Sequence, residues 1–211
     1  MALIGICGFI GTGKGTAADY LVTKYSYKKD SFASSLKDAC AYIFDWPRHM
    51  LEGDTVESRE WRESVDQWWT KQLNIPDFTP RLALQLIGTD SLRNHFHQGI
   101  WFLTIQNRIR KNPSHNVVIS DVRFSNEIDF IRNNGGTLIS VSRGDTPVWY
   151  EVAVAANKNV DWAVNLMNTD YAHIHPSEWA WVGTKFDYKI TNDSDISSLT
   201  LQLDNLILKI R

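Results

Sequence analysis

The stretch Gly8-Phe9-Ile10-Gly11-Thr12-Gly13-Lys14-Gly15-Thr16 limits what this chain can fold into more than any other feature. It lies between an apolar run, Ala2–Cys7, and an amphipathic segment, Thr16–Tyr25, that offers Ala17, Ala18, Leu21 and Val22 for burial. Strand, glycine-rich turn and helix in that order build an anion site. Glycines let the backbone turn tightly and point successive N–H groups inward, and the helix that follows presents its positive end to the same place. Lys14 adds a mobile ammonium able to follow charge on a β- or γ-phosphate. The general pattern G-x-x-x-x-G-K-[ST] is met at Gly8, Gly13 and Lys14, but Gly15 stands in the last place and the hydroxyl moves on to Thr16. Direct magnesium ligation by this loop is therefore not expected; Thr16 is a candidate phosphate contact, with the metal held through water.

The rest of the chain reads as alternating strands and helices. Ser31–Ala33 is the second strand expected, followed by a helix capped by Ser34 or Ser35 and carrying Leu36, Ala39, Cys40, Ile43 and Phe44 at helical spacing. From Pro47 to Pro80 charges mix with Trp61, Trp68 and Trp69 without period, which reads as an excursion from the core. Thr79-Pro80 opens a helix through Leu82, Leu84, Leu86 and Ile87, and another spans Gly99–Lys111. Val117–Ile119 and Thr137–Val141 are dense β-branched runs of the kind buried on both faces of a parallel sheet, with a helix over Asn126–Asn133 between them. Phe186–Ile190 gives a last strand and Ile196–Ile210 a closing helix. This alternation predicts an α/β fold with a five-stranded parallel sheet covered on both sides, a three-layer αβα core. At 211 residues and 43% hydrophobic composition, one core domain with two insertions is the economical arrangement. The core takes residues 1–46, 81–145 and 176–211, and the insertions are 47–80 and 146–175.

Charge and cysteine usage narrow the function classes. A net charge of -2 lacks the broad excess of Lys and Arg that stable nucleic-acid binding needs. Cys7 and Cys40 are expected as buried free thiols. No secretory signal, no membrane span and a cytoplasmic location are expected. Asp121 ends the Val117–Ile119 strand, where a carboxylate would face the glycine loop if the two strands are neighbours, and could order hydrated magnesium. Arg123 would point to the same side and clamp a transferring phosphoryl group.

The loop G-x-x-G-x-G-K-G-T resembles the phosphate loop of adenylate kinases and related nucleoside monophosphate kinases. Arg81-x-x-x-Gln85-x-x-Gly88-Thr89-Asp90, Trp101, Ser120-Asp121-x-Arg123-x-x-x-Glu127, His173-x-x-x-Ser177-Glu178 and Lys189-Ile190-Thr191-Asn192-Asp193 follow in the order found in phage-type deoxynucleoside monophosphate kinases, which the chain resembles from about residue 3 to 207. The resemblance implies an adenylate-kinase-like P-loop core with an acceptor-side insertion and a lid, ATP with magnesium as donor, and a deoxynucleoside monophosphate as acceptor. It implies Lys14, Asp121 and Arg123 as the catalytic set, and Gly11, Thr12, Gly13, Lys14, Gly15 and Thr16 on the donor, with Arg143 as a donor-side clamp. Lys37, Arg81 and Gln85 would hold the acceptor, with Asp121, Arg123 and Glu127 nearby; Glu127 could equally be a helix-surface carboxylate. Trp149, Trp162, Trp179 and Trp181 are expected to pack the lid. Small nucleotides are the expected partners, and a second copy of the chain is a candidate one. Two other readings stay open at this point: a dephospho-coenzyme A or phosphomevalonate kinase on the same core, or a nucleotide-hydrolysing switch.

Overall fold

A computed structural model describes residues Met1–Ile210, which divide into two compact units. The first combines Met1–Ser31 with Asn112–Arg211 and holds the whole sheet. Its strands are β1 (Leu3–Cys7), β2 (Lys28–Asp30), β3 (Val117–Ile119), β4 (Thr137–Ser142) and β5 (Tyr188–Thr191), in the order β2-β3-β1-β4-β5. Every pairing is parallel, with Gly5 opposite both Ile119 and Leu138. β1 and β3 are buried throughout because each lies inside the sheet with both faces covered.

Alternation along β1 sorts its side chains between those faces. Ile4 and Ile6 join a core with Ala17, Ala18 and Leu21 of helix α1 (Lys14–Tyr25) and with Leu199, Leu203, Leu206 and Ile207 of the closing helix, Ile196–Ile210. Gly5 faces the other way. A Cβ there would come within 3.0 Å of Ile131, on the helix Ser125–Asn133, so the absence of a side chain lets that helix close on the sheet.

The edge strand shows why one sequence expectation missed. The second strand is Lys28–Asp30, not Ser31–Ala33. An edge strand pairs on one side only and tolerates exposed lysines, so its residues carry no apolar signature. Asp30 ends it by accepting the Ser31 amide at 2.7 Å. The last strand likewise begins at Tyr188 rather than Phe186, because Asp187 bonds Leu138 through its carboxylate at 2.8 Å as well as its own N–H at 2.9 Å.

The second unit, Phe32–Lys111, is helical. Its first helix, α2 (Ser34–Phe44), has Ala33 at the cap position and no side-chain cap, so neither Ser34 nor Ser35 plays the expected role. Pro47–Pro80, which lacks sequence period, contains a 3₁₀ turn (Arg48–Glu52) and the helices α3 (Val56–Glu63) and α4 (Gln67–Leu73). Side-chain caps from Thr55 and Asp66 start α3 and α4. They are held by aromatics rather than by an apolar stripe: Phe44 stacks on Trp46 at 4.4 Å and meets Trp69 and Phe78 at 5.0 and 5.5 Å. Pairs of this kind each contribute about 0.5–1.5 kcal/mol beyond area burial. The helix opened by Thr79 is α-helical only over α5 (Pro80–Gln85) and continues as a π-helix, Leu86–Phe96, before α6 (Ile100–Lys111). Within that π-helix the Gly88 carbonyl accepts the buried Trp101 indole N–H at 2.9 Å.

In the first unit the remaining helices are α7 (Ser125–Asn133), α8 (Tyr150–Ala156), α9 (Asp161–Asn168), α10 (Pro176–Trp179) and α11 (Ile196–Ile210). Trp162 is 57% exposed and so does not pack as expected. Both cysteines are free and buried, and among the described residues no helix is long and apolar enough to cross a membrane.

Helices α1 and α11 are joined by one carboxylate. Asp204 accepts Tyr20 and Tyr25 hydroxyls at 2.7 Å each on Oδ1, and the Lys24 ammonium at 2.8 Å on Oδ2. Lys24, Tyr25 and Tyr20 together hold its carboxyl down at about 2. A carboxylate depressed by folding stabilises above its unfolded pKa, near about 3.9, and loses that contribution as pH falls toward the folded value. The difference in Tm between the wild type and Asp204→Asn is therefore expected to be largest above about pH 5 and to shrink as pH falls toward 2. Thermal melts across a pH series read this directly, and a pH-independent difference would refute the linkage.

Candidate active site

The loop after β1 is shaped by what lies beneath it. Gly8 sits at φ 150°, and a Cβ there would stand 2.3 Å from the Val141 carbonyl oxygen, so the chain can leave the sheet here only as glycine. Gly13, at φ 99°, occupies the cap position of α1 with no side-chain cap, which leaves the first N–H groups of a 12-residue helix open to an anion. Space above the loop is real: a Cβ at Gly11 or Gly15 would meet nothing within 4 Å.

The loop is pinned through the Phe9 carbonyl. It accepts the Thr12 hydroxyl at 3.0 Å, the Thr12 amide at 3.4 Å and the Lys14 ammonium at 2.6 Å. Thr12 is buried, so its side chain shapes the loop from within, while Thr16 is exposed on the first turn of α1. The Thr12 carbonyl in turn accepts the Asn192 amide at 2.9 Å. A Cβ on Gly13 would lie 2.5 Å from that same nitrogen, so Asn192 is a second reason for glycine there. The Phe9 ring meets Trp181, Trp149 and Tyr150 at 4.8, 5.5 and 6.2 Å, which joins the loop to the start of α8.

The parallel pairing of β1 with β3 brings Asp121 and Arg123 to the same end of the sheet as the loop. They flank the buried Val122. Asp121 Oδ2 accepts the Ser31 hydroxyl at 2.7 Å. Arg123 is held at both ends: its amide donates to Glu127 Oε2 at 2.8 Å, and its Nη1 donates to Glu178 Oε1 at 2.5 Å and to the Ser177 Oγ and carbonyl at 3.3 and 3.4 Å. Lys14 belongs to the same electrostatic cluster. Burial, and then the charge of Arg123, lower its ammonium pKa to about 8 against the opposing pull of Glu178, Cys7 and Asp121. Burial also raises the Cys7 thiol far above its ordinary range, so it is an inert neutral group beneath the loop.

Glu127 departs from the surface position weighed for it. It is 2% exposed, and its carboxylate caps α7 by accepting the amides of Arg123 and Phe124 at 2.8 and 3.2 Å. Arg143 follows β4 and is exposed.

Lys37, Arg81 and Gln85 lie in the helical unit, on α2 and α5. Lys37 pairs with Glu52 at 2.6 Å, and Arg81 with Glu63 at 2.8 Å. Arg48 also binds Glu52, and pairs with Asp38 at 2.5 Å. Burial pushes the Glu52 carboxyl up, but Lys37 and Arg48 outweigh it and leave it below its ordinary value. Gln85 is half-buried at the end of α5, where the π-helix begins. Asn192, quoted from sequence only within a strand-and-turn motif, and Ser31 and Phe9 were given no site role there, because a turn residue or a loop aromatic shows no role until its partner is known.

Comparison with known proteins places the chain. The sequence pattern of the deoxynucleotide monophosphate kinase family matches residues 53–151. A protein of Acanthamoeba polyphaga mimivirus that carries the same family name is 38% identical, covering 68% of this chain and 75% of its own length. The deoxynucleotide monophosphate kinase of Enterobacteria phage T4 is 24% identical over 68% of this chain and 82% of its own. The deoxynucleoside-5'-monophosphate kinase of Escherichia phage T5 is 41% identical over a shorter stretch, 26% of this chain and 22% of its own. On the extent of the mimivirus match, the chain belongs to the deoxynucleotide monophosphate kinase family.

Proposed function

We propose that the protein transfers the γ-phosphoryl group of ATP to a deoxynucleoside monophosphate, giving the deoxynucleoside diphosphate and ADP. The observation that carries this reading is the uncapped N-terminus of α1 with Lys14, Asp121 and Arg123 gathered about it at one end of the sheet. The loop suits a triphosphate: its open N–H groups and the free space over Gly11 and Gly15 leave a cradle of the right kind.

In this reading an oxygen of the acceptor phosphate attacks the γ-phosphorus as the bond to the β–γ bridging oxygen breaks, and ADP leaves. Little covalent work falls to the protein. The loop amides and Lys14 hold the donor phosphates, and Arg123 neutralises charge spreading onto the equatorial oxygens. Arg143, exposed at the end of β4, serves the donor side. Lys37, Arg81 and Gln85 serve the acceptor, with Arg81 exchanging Glu63 for the incoming phosphate. Among the described residues no group of three or more His, Cys, Asp or Glu could hold a metal by itself. Magnesium arriving with ATP would supply charge neutralisation on the phosphates, and Asp121 and Thr16 are the residues that would hold it through water.

Two outcomes test the reading. ADP formation, followed in a coupled assay with ATP, magnesium and each deoxynucleoside and ribonucleoside monophosphate in turn, is expected to rise strongly with one or more deoxynucleotides. Lys14→Ala should then cost about a hundredfold or more in kcat/KM. Phosphate release that ignores every monophosphate would instead identify a hydrolase. The second outcome concerns pH. A Lys14 ammonium that titrates at about 8 in the free protein is charged below that value and neutral above it. ATP affinity is expected to fall toward tenfold per unit above about pH 8, with proton uptake on binding, while Lys14→Arg shows no such fall. Calorimetric titration between pH 7 and 9.5 in buffers of different ionisation enthalpy measures both quantities.

A further inference from the structure

We infer that Glu178, on the short helix α10, is a positioning residue for the phosphoryl transfer proposed above: it holds one edge of the Arg123 guanidinium and leaves the other edge for the transferring group. The inference rests on that reading of the reaction, and on a set of contacts that converge on a single nitrogen. Among the described residues, Nη1 of Arg123 makes all the side-chain bonds of this residue, donating to Glu178 at 2.5 Å and to the hydroxyl and carbonyl of Ser177 at 3.3 and 3.4 Å. The guanidinium has donors on two further nitrogens, Nε and Nη2, and among the described residues neither has a partner. A planar fork gripped at one corner keeps a fixed direction, and its free edge matches two oxygens of a phosphoryl group.

The grip is itself braced. His175 Nδ1 accepts the Ser177 amide at 3.2 Å, which makes it the acceptor for the Ser177 hydroxyl at 2.8 Å as well. The oxygen lone pairs of that hydroxyl are then free to face Arg123. Asn157, at the end of α8, donates to the carbonyls of Trp179 and Val182 at 2.9 and 2.8 Å and so fixes α10 from its other side. On the Arg123 side, the buried Glu127 holds the backbone amide. Arg123 follows β3 at the same end of the sheet as the phosphate loop, and its charge and that of Glu178 both act on Lys14. A carboxylate so near a phosphate site opposes anion binding by its charge, and geometry is what it gives in return.

Geometry and charge separate in the choice of variant. Gln keeps an oxygen that can accept from Nη1, whereas Ala removes it. Glu178→Gln is expected to hold kcat within about threefold of wild type, and Glu178→Ala to lower it by about tenfold to a hundredfold with no rise in KM for ATP. The double variant Arg123→Ala/Glu178→Ala should be no slower than Arg123→Ala, because Glu178 acts through Arg123. A rise in turnover for Glu178→Ala would make Glu178 a mask over Arg123 and overturn the inference. So would additive losses in the double variant, or equal losses for Gln and Ala. A measurement that needs no turnover keeps the inference apart from the reading of function. The ¹⁵N heteronuclear NOE of the Arg123 Nε–H in the ligand-free protein should show an ordered guanidinium in wild type and Glu178→Gln, and a mobile one in Glu178→Ala. Unchanged order in Glu178→Ala would overturn the proposal even if the kinase is active, and a wild type with no monophosphate-dependent turnover would remove the reading of function while the NOE still decides the positioning.

Discussion

With β1 hydrogen-bonded in parallel between β3 and β4, three chain segments leave the sheet at the same end, and everything chemical in the first unit follows from that pairing. Cys7 hands over to the glycine loop, Ile119 to Asp121 and Arg123, and Val141 supplies the carbonyl against which Gly8 must turn. Shifting β1 by one residue would move Ile4 and Ile6 off the core formed by α1 and α11. Burying each such side chain stabilises by about 1.5–3 kcal/mol, so register is fixed by the core long before any ligand arrives. The site inherits its precision from apolar packing.

The charged groups follow a second rule. Four of the cations proposed to meet phosphate already have a carboxylate or carbonyl partner: Lys37 has Glu52, Arg81 has Glu63, Arg123 has Glu178 and Lys14 has the Phe9 carbonyl. A half-buried cation without a partner is costly to keep, and a partnered one keeps its direction. In the proposed reaction, phosphate would replace these bonds with stronger, doubly charged ones where a cation gives up its partner. Where a cation has donors to spare, as Arg123 has, the carboxylate can stay. Lys14 is the group least well compensated, since burial and Arg123 together take its ammonium down to about 8.

Phe9 shows how packing and chemistry meet in one residue. Its carbonyl gathers Lys14 and Thr12, and its ring rests among Trp149, Tyr150 and Trp181. A movement of the segment that begins α8 therefore reaches the lysine through one residue. Conformational steps of this kind commonly accompany water exclusion in phosphoryl transfer.

How much of this was legible in the chain depends on how local each cause is. The glycine loop, the strands β1, β3 and β4 and the closing helix were readable because short-range backbone geometry and dense apolar runs encode them directly. The edge strand Lys28–Asp30 was not, because an unpaired edge asks nothing of its side chains. The helices between Pro47 and Pro80 were hidden for a related reason: they are pinned by aromatic contacts such as Phe44 with Trp46 and Trp69, and such contacts have no period. Gln85 and Arg81 could be named from the order of motifs, but not the Glu63 carboxylate that one of them holds. The sequence by itself determined a phosphate loop on an α/β core and the residue types for charge neutralisation, since these are properties of neighbours along the chain. Only the tertiary structure decided that Asn192 braces Thr12, that Glu127 is buried as a cap and that Glu178 grips Arg123. Those partners lie 180, 4 and 55 residues apart, and hydrogen bonds across such unequal separations depend on where the folded backbone carries each group, which composition and spacing do not record.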